Sequence, residues 1–243
     1  MNNGSPAIRG QFRGYCDNSR RGVQRPNNMT ATESTPAPPS RRWPRSLIVV
    51  AIGVWFLGIA VGLSLIWRYE GTPGQTSVAP RDWPTASTLV RHSGRPTVVM
   101  FVHPHCTCSR ASLTELRELL EQLGTSLDAY IVFLKPAGTD DEWEHTGLWQ
   151  SASAIPALVS VVDRDGSEAA RFGVQTSGDV RMYDADGALA YSGGITAARG
   201  HVGDNAGLRG LVAALEGRGK LDTRQPVFGC SFRDADARGR DGP

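Results

Sequence analysis

The alternation of apolar and polar positions divides the chain into three kinds of sequence. Residues 1–45 hold almost no apolar clusters and are rich in Asn, Arg and Pro, which predicts no stable element. The stretch "LIVVAIGVWFLGIAVGLSLIW", Leu47 to Trp67, is apolar on every side and uncharged over 21 residues. As a helix rising roughly 1.5 Å per residue it is about 31 Å long, the thickness of a bilayer's hydrocarbon layer. Beyond it the chain alternates between strand and helix periods.

"PTVVMFVH" (Pro96 to His103) is rich in β-branched residues and bounded by Gly94 and Pro104, which predicts a buried strand. Leu113, Leu116, Leu119, Leu120 and Leu123 then recur at helical spacing up to Gly124. "LDAYIVFLKP" predicts a second strand, and "GTDDEWEHTGLWQSASA" an acidic stretch running into an amphipathic helix. "IPALVSVVDRDG" gives a third strand and "SEAARFGV" a short helical turn. "DVRMYDADGALAYSGGI" alternates around Asp186-Gly187 as a hairpin does. The last helix, "DNAGLRGLVAALEG", carries Leu208, Leu211, Val212 and Leu215 on one face, with Asp204 as its N-cap. Strand–helix–strand first and hairpin–helix last predicts an α/β sandwich, a central mixed sheet flanked by helices. The expected organisation is a disordered arm (1–45), a transmembrane helix (46–67), a linker (68–85), a folded domain (86–232) and a disordered tail (233–243).

Charge refines this picture. The net charge of +2 gives no reason to expect nucleic acid as a partner. It conceals a split: residues 1–45 hold eight arginines against Asp17 and Glu33, whereas the chain from Arg68 onward has 18 basic and 22 acidic residues. "RRWPR" abuts the apolar run on its N-terminal side, so the positive-inside rule keeps the N-terminus in the cytoplasm and exports the domain. A cleaved signal peptide has a shorter apolar region, about 7–15 residues, with small residues at the cleavage site. Here "RYEG" follows the run, and a single-pass signal-anchor is expected.

Within the exported part, "FVHPHCTCSRAS" (101–112) sets Cys106 and Cys108 one residue apart, where a strand gives way to a helix. A helix N-terminus favours a thiolate through its free N–H groups and dipole. Arg110 adds a positive charge in sequence, and disulfides persist outside the cytoplasm. Two cysteines so close would close only a tight, strained ring, and strain makes a disulfide more reducible. Cys106 and Cys108 are therefore the candidate catalytic pair. Cys230, in "PVFGCSF", stands among apolar neighbours that would fold back onto the domain; it is either a structural thiol or an auxiliary one. Arg199, His201 and Asp204, in the polar loop "GGITAARGHVGDN", are further auxiliary candidates that could bind substrate or tune a thiolate. Metal binding is the rival reading, because thiolate and imidazole are ligands for Zn²⁺ or Cu⁺. Its candidates are Cys106, Cys108, His103, His105 and Cys230. Cys16 falls in the N-terminal arm and is set aside.

This order of elements, with cysteines at the first strand–helix junction, resembles the thioredoxin-like superfamily. "MFVHPHC" resembles its strand ending in an aromatic–Cys step, and Cys106 matches its attacking cysteine. More narrowly, "HPHCTCSRAS", "GGITAARGHVGDN" and the final "VFGC" resemble the membrane-anchored bacterial proteins of RedB type. Two positions depart from the superfamily pattern: Ser109 stands where a second cysteine is usual, and Gly178 where a proline faces the thiols. The resemblance implies a thioredoxin-like sandwich and a membrane-anchored thiol–disulfide oxidoreductase on the outer side of a bacterial cytoplasmic membrane. Its substrates would be protein or small-molecule thiols, and it would need no cofactor. The alternatives are a copper-binding metallochaperone on the same fold and a non-catalytic binding domain.

A reporter fused after Pro243 should be active only outside the cytoplasmic membrane, with the unprocessed chain in the membrane fraction. A soluble mature form beginning after Trp67 would contradict the signal-anchor.

Overall fold

The computed structural model describes residues 44–75, 78–124, 126–218 and 224–232. Nearly all of the arm expected over 1–45 and the tail expected over 233–243 lie outside them. The chain divides into two units, Met1–Ile48 and Val49–Pro243. Only residues 44–48 of the first are described, and the folded domain belongs to the second.

The elements in chain order are α1 (Arg45–Glu70), β1 (Thr97–Val102), α2 (Ser109–Leu123), β2 (Asp128–Lys135), α3 (Gly147–Ser153), β3 (Val159–Arg164), α4 (Ser167–Arg171), β4 (Asp179–Tyr183), β5 (Leu189–Gly193) and α5 (Ala206–Leu215). Helix α1 has 26 residues, none of them buried, and is long and apolar enough to cross a membrane. The five strands form one sheet in the order β3-β2-β1-β4-β5. β1, β2 and β3 run parallel, while β4 is antiparallel to both β1 and β5. This is the expected thioredoxin-like sandwich, preceded by one apolar helix.

Strand β1 is buried along its whole length because it lies at the centre of the sheet with both faces covered. Alternate residues serve opposite layers. Val98, Met100 and Val102 meet Leu113, Leu116 and Leu120 of α2 and Leu211 of α5, whereas Val99 and Phe101 meet Ala169, Phe172 and Phe232. Gly124 ends α2 at φ 60°, as its position in the sequence predicts. In the β4–β5 hairpin, the Asp184 carboxylate accepts from the Asp186 and Ala188 N–H groups around Gly187.

Three expectations are corrected. In "GTDDEWEHTGLWQSASA" the helix is the short α3, and the acidic stretch before it is not simply solvated surface. Glu144 turns inward to a buried ion pair with Lys135 at 2.8 Å, which holds the acidic stretch in turns. Asp204 is not the cap of α5. The Asn205 side chain accepts from the Leu208 N–H at 2.8 Å while its amide donates to the Ile195 carbonyl at 2.9 Å. A carboxylate cannot donate, so asparagine holds the cap and Asp204 pairs on the surface with Arg209. The stretch 68–85 is not all free linker. The Trp83 N–H donates to the Gly187 carbonyl, and its ring meets Phe172 and Tyr183 edge-on at 5.2 and 5.3 Å.

After α5 the chain returns across the domain as segment 224–232. The Gln225 N–H donates to the Ser192 carbonyl at 3.0 Å, Thr176 and Ser231 pair as an antiparallel bridge, and the Phe232 N–H donates to the Gln175 carbonyl at 2.8 Å. Phe232 is fully buried, its ring centroid 6.3 Å from that of Phe101. It closes the layer opposite α2. Phe232→Ala should therefore destabilise the protein by about 3–5 kcal/mol and lower the thermal unfolding midpoint on the order of 10 °C. A shift under about 2 °C would mean the segment is not a structural part of the core.

Candidate functional site: a three-thiol cluster

Three elements converge at the C-terminal end of β1. The chain leaves Val102 through His103, Pro104 and His105, turns so that the Cys106 N–H donates to the His103 carbonyl at 2.9 Å, and enters α2 at Ser109. Cys108 stands at the N-cap position and makes no side-chain cap bond. Opposite lies the loop before β4, where the Gly178 N–H donates to the Phe101 carbonyl at 2.7 Å. Gly178 has φ +90°, and a Cβ there would stand 3.1 Å from the Ser112 hydroxyl. Both conformation and space therefore call for glycine. The third element is segment 224–232. The Ser177 N–H donates to the Cys230 carbonyl at 2.9 Å. A Cβ on Gly229 would lie 1.8 Å from the Ser177 carbonyl oxygen, an approach only glycine permits.

The result is that the Sγ atoms of Cys106, Cys108 and Cys230 all lie within 4.8 Å of one another. Cys106 is buried, and the other two are half-buried; no disulfide joins them. Burial alone would push the Cys106 thiol up. Hydrogen bonds from the Ser109 hydroxyl, from the Cys230 backbone and thiol, and from the Ser109 backbone outweigh it and bring Cys106 down to about 7. Cys108 moves the other way, through burial and the negative charge of Cys106, against the pull of Arg199. Burial, then the charge and hydrogen bond of Cys106, push Cys230 up to about 12. Cys106 is thus the sulfur that ionises first, with the other two thiols around it.

A chain of donors supports that charge. The His103 N–H donates to the Ser177 Oγ at 2.7 Å, and the Ser177 and Ser109 hydroxyls lie 2.8 Å apart. With Ser109 donating to Cys106, the Ser177 proton must serve Ser109, so every donor in the series points towards the sulfur. Sequence reasoning does not single out Ser177, and it names Ser109 only as a departure from the pattern the chain resembles. The available signal is that Ser109 fills the place of a usual second cysteine.

The basic group beside the thiols is Arg199, not the expected Arg110. The Arg199 guanidinium donates to the Gly229 carbonyl and acts on both Cys108 and Cys230. Arg110 instead lines a groove with Leu113, Leu148 and Ser151. His201 is exposed, with Nδ1 3.0 Å from the Arg199 carbonyl and Nε2 3.9 Å from Glu70. Among the described residues, neither His103 nor His105 joins the sulfurs in the metal-compatible group. The His103 Nδ1 accepts from the His105 N–H at 3.2 Å, and the His105 Nε2 lies 3.1 Å from the Trp143 carbonyl.

No protein-family model matches the chain, and no curated protein matches it in sequence. Among solved structures, it is similar to an uncharacterized conserved protein of Geobacillus kaustophilus, with TM-score 0.50 and 19% identity, over 68% of this chain and 93% of that one. A hypothetical protein of Sinorhizobium meliloti matches with TM-score 0.48 and 20% identity, over 66% and 93%. A putative thiol:disulfide interchange protein DsbE of Chlorobium tepidum matches with TM-score 0.38 and 18% identity, over 59% and 98%. The likeness to the first is one of fold.

The rate of Cys106 alkylation should rise with pH to half its plateau at about pH 7, because only the thiolate reacts. Ser109→Ala removes a hydrogen bond to the charged form and should raise that half-point by about one unit or more. Reactivity at pH 7 then falls about fivefold or more. A wild-type half-point at the free-thiol value of about 8.5 would contradict the donor chain.

Proposed function

We propose that the protein is a membrane-anchored thiol–disulfide oxidoreductase of RedB type, working on the outer side of a bacterial cytoplasmic membrane. The observation that carries the reading is the three-thiol cluster with its charge held on Cys106. The convergence of sequence motifs supports it as well. "HPHCTCSRAS" and "VFGC" supply the three sulfurs, and Arg199 of "GGITAARGHVGDN" binds the carbonyl of Gly229. The apolar helix α1, none of whose residues is buried, and the arginines before it support the anchor and its orientation.

In this reading the Cys106 thiolate attacks one sulfur of a protein or small-molecule disulfide. The substrate S–S bond breaks, a mixed disulfide forms on Cys106, and the displaced thiolate takes up a proton. Cys108, in the same turn, is the resolving thiol. Its thiolate attacks the Cys106 sulfur and releases the second substrate thiolate, so two electrons pass to the substrate. While Cys106 is charged, Cys108 keeps its proton; once the charge is lost in the mixed disulfide, one of the causes raising Cys108 disappears. Resolution is thereby timed to follow attack. Arg199 helps Cys108 ionise and positions Gly229.

A second reading is favoured by the donor set itself. Three thiolates within 4.8 Å of one another suit a soft ion such as Cu⁺, and the protein would then be a copper-handling metallochaperone. In it Cys106, Cys108 and Cys230 are the ligands, without His103 or His105.

Cys106→Ser should abolish exchange with a disulfide-bonded model peptide, and replacing Cys108 and Cys230 together by serine should trap that peptide on Cys106. Full exchange by the Cys106→Ser protein would end the oxidoreductase reading. Stoichiometric Cu⁺ capture by an exchange-inactive wild type would favour the copper one.

A further inference from the structure

Segment 224–232 is built more tightly than a thiol buried only for packing would require. It is anchored at Phe232, paired at Ser231 with Thr176, bonded at Cys230 to the Ser177 N–H, pressed at Gly229 against the Ser177 carbonyl, and held there by Arg199. On its other side the Gly74 N–H donates to the Val227 carbonyl at 2.8 Å. All of this sets one half-exposed sulfur beside Cys106.

The two partners open to Cys106 differ in what a disulfide would ask of the backbone. Cys106 and Cys108 lie in one tight turn, where the Ser109 N–H donates to the Cys106 carbonyl and the Arg110 N–H to the Thr107 carbonyl, both at 3.3 Å. Their sulfurs approach each other, but a disulfide between residues two apart closes a small ring that departs from relaxed disulfide geometry. Joining them puts those two bonds at the start of α2 under strain. Cys230 comes from a separate segment on the facing side, so joining it to Cys106 leaves the turn intact.

Resting on the oxidoreductase reading above, we infer that the oxidised protein stores its disulfide between Cys106 and Cys230, with the C-terminal segment serving as an internal cysteine arm. The mixed disulfide, or the Cys106–Cys108 bond that replaces it, is attacked at the Cys106 sulfur by the Cys230 thiolate; with Cys106 in a disulfide, the charge and hydrogen bond that help hold the Cys230 proton are gone, and that proton passes to solvent. The Cys106–Cys230 bond forms, the earlier S–S bond breaks, and its other sulfur leaves as a thiolate that takes up a proton. No electrons are gained or lost when the bond migrates from Cys108. A dithiol reductant, attacking Cys230 and displacing Cys106, would return the protein to its three-thiol form. Attack at Cys230 is the faster route, because the displaced sulfur, Cys106, has the lower pKa of the two.

The test is disulfide mapping on the full-length protein, oxidised with one equivalent of a small-molecule disulfide, which is itself reduced to the dithiol, then blocked and digested with trypsin. Cys106 and Cys108 share peptide 92–110, whereas Cys230 lies on peptide 225–233. The expected product is the cross-linked pair of peptides, in wild type and in Cys108→Ser alike. A disulfide confined within peptide 92–110 would overturn the proposal. Gly229→Val keeps all three thiols but displaces the segment from Ser177, and should reduce the cross-linked product about tenfold or more. An undiminished cross-link in that variant would overturn the role of the arm. The map is read whether or not the wild type exchanges disulfides with a model peptide, so failure of the oxidoreductase reading shows separately, as a cross-linked but inactive protein.

Discussion

The site is organised by four contacts made by Ser177. Its hydroxyl accepts from the end of β1 and bonds Ser109 at the start of α2, its N–H donates to Cys230, and its carbonyl meets Gly229. Strand, helix and C-terminal segment are thus referred to one residue. A buried hydroxyl left without partners would cost about 1–3 kcal/mol, and here Ser177 is fully buried with its partners supplied from two directions. The same bonds that satisfy it bring the three sulfurs together and feed the donor chain to Cys106. The charge on Cys106 is consequently a property of how three segments pack, rather than of the cysteine motif alone.

Other buried polar groups hold the frame around that junction. Arg181, fully buried on β4, is paired with Asp179 of the same strand, directly after the Ser177–Gly178 loop. The Asp163 carboxylate accepts from the Glu168 and Ala169 N–H groups at 2.8 and 2.9 Å and so tethers α4 to the end of β3. Glu168 in turn accepts from Thr88 and Ser87, drawing the stretch before β1 onto the domain. Breaking one partner of such a buried pair costs more than the pair contributes, because the other charge is left unsolvated. The frame is specific in geometry for that reason.

The elements were legible in the sequence where periodicity decides them. The leucines of α2, the β-branched run of β1 and the Asp186-Gly187 turn all lie where their patterns predict. Legibility failed where side chains bond outside their own segment. Glu144 reads as acidic surface until Lys135 is seen to pair with it, and Asp204 reads as a cap until Asn205 is found bonding both ways. At the site, the cysteines announce themselves by chemistry and Cys230 by its apolar neighbours. Ser109 and Ser177 do not, because a serine's role depends on partners that no local pattern records. Arg110 shows the same limit: proximity in sequence points to it, whereas the basic group acting on the thiols is Arg199, an auxiliary candidate of the polar loop.

Arg199 carries a further consequence. Its guanidinium lies over the Tyr69 ring at 4.9 Å and bonds the Tyr69 and Thr72 carbonyls, just where α1 ends, while also holding Gly229. The last turn of the apolar helix and the cysteine arm therefore share one clasp. Lifting the arm takes away part of what grips the helix end, and pulling on the helix loosens the seat of Cys230.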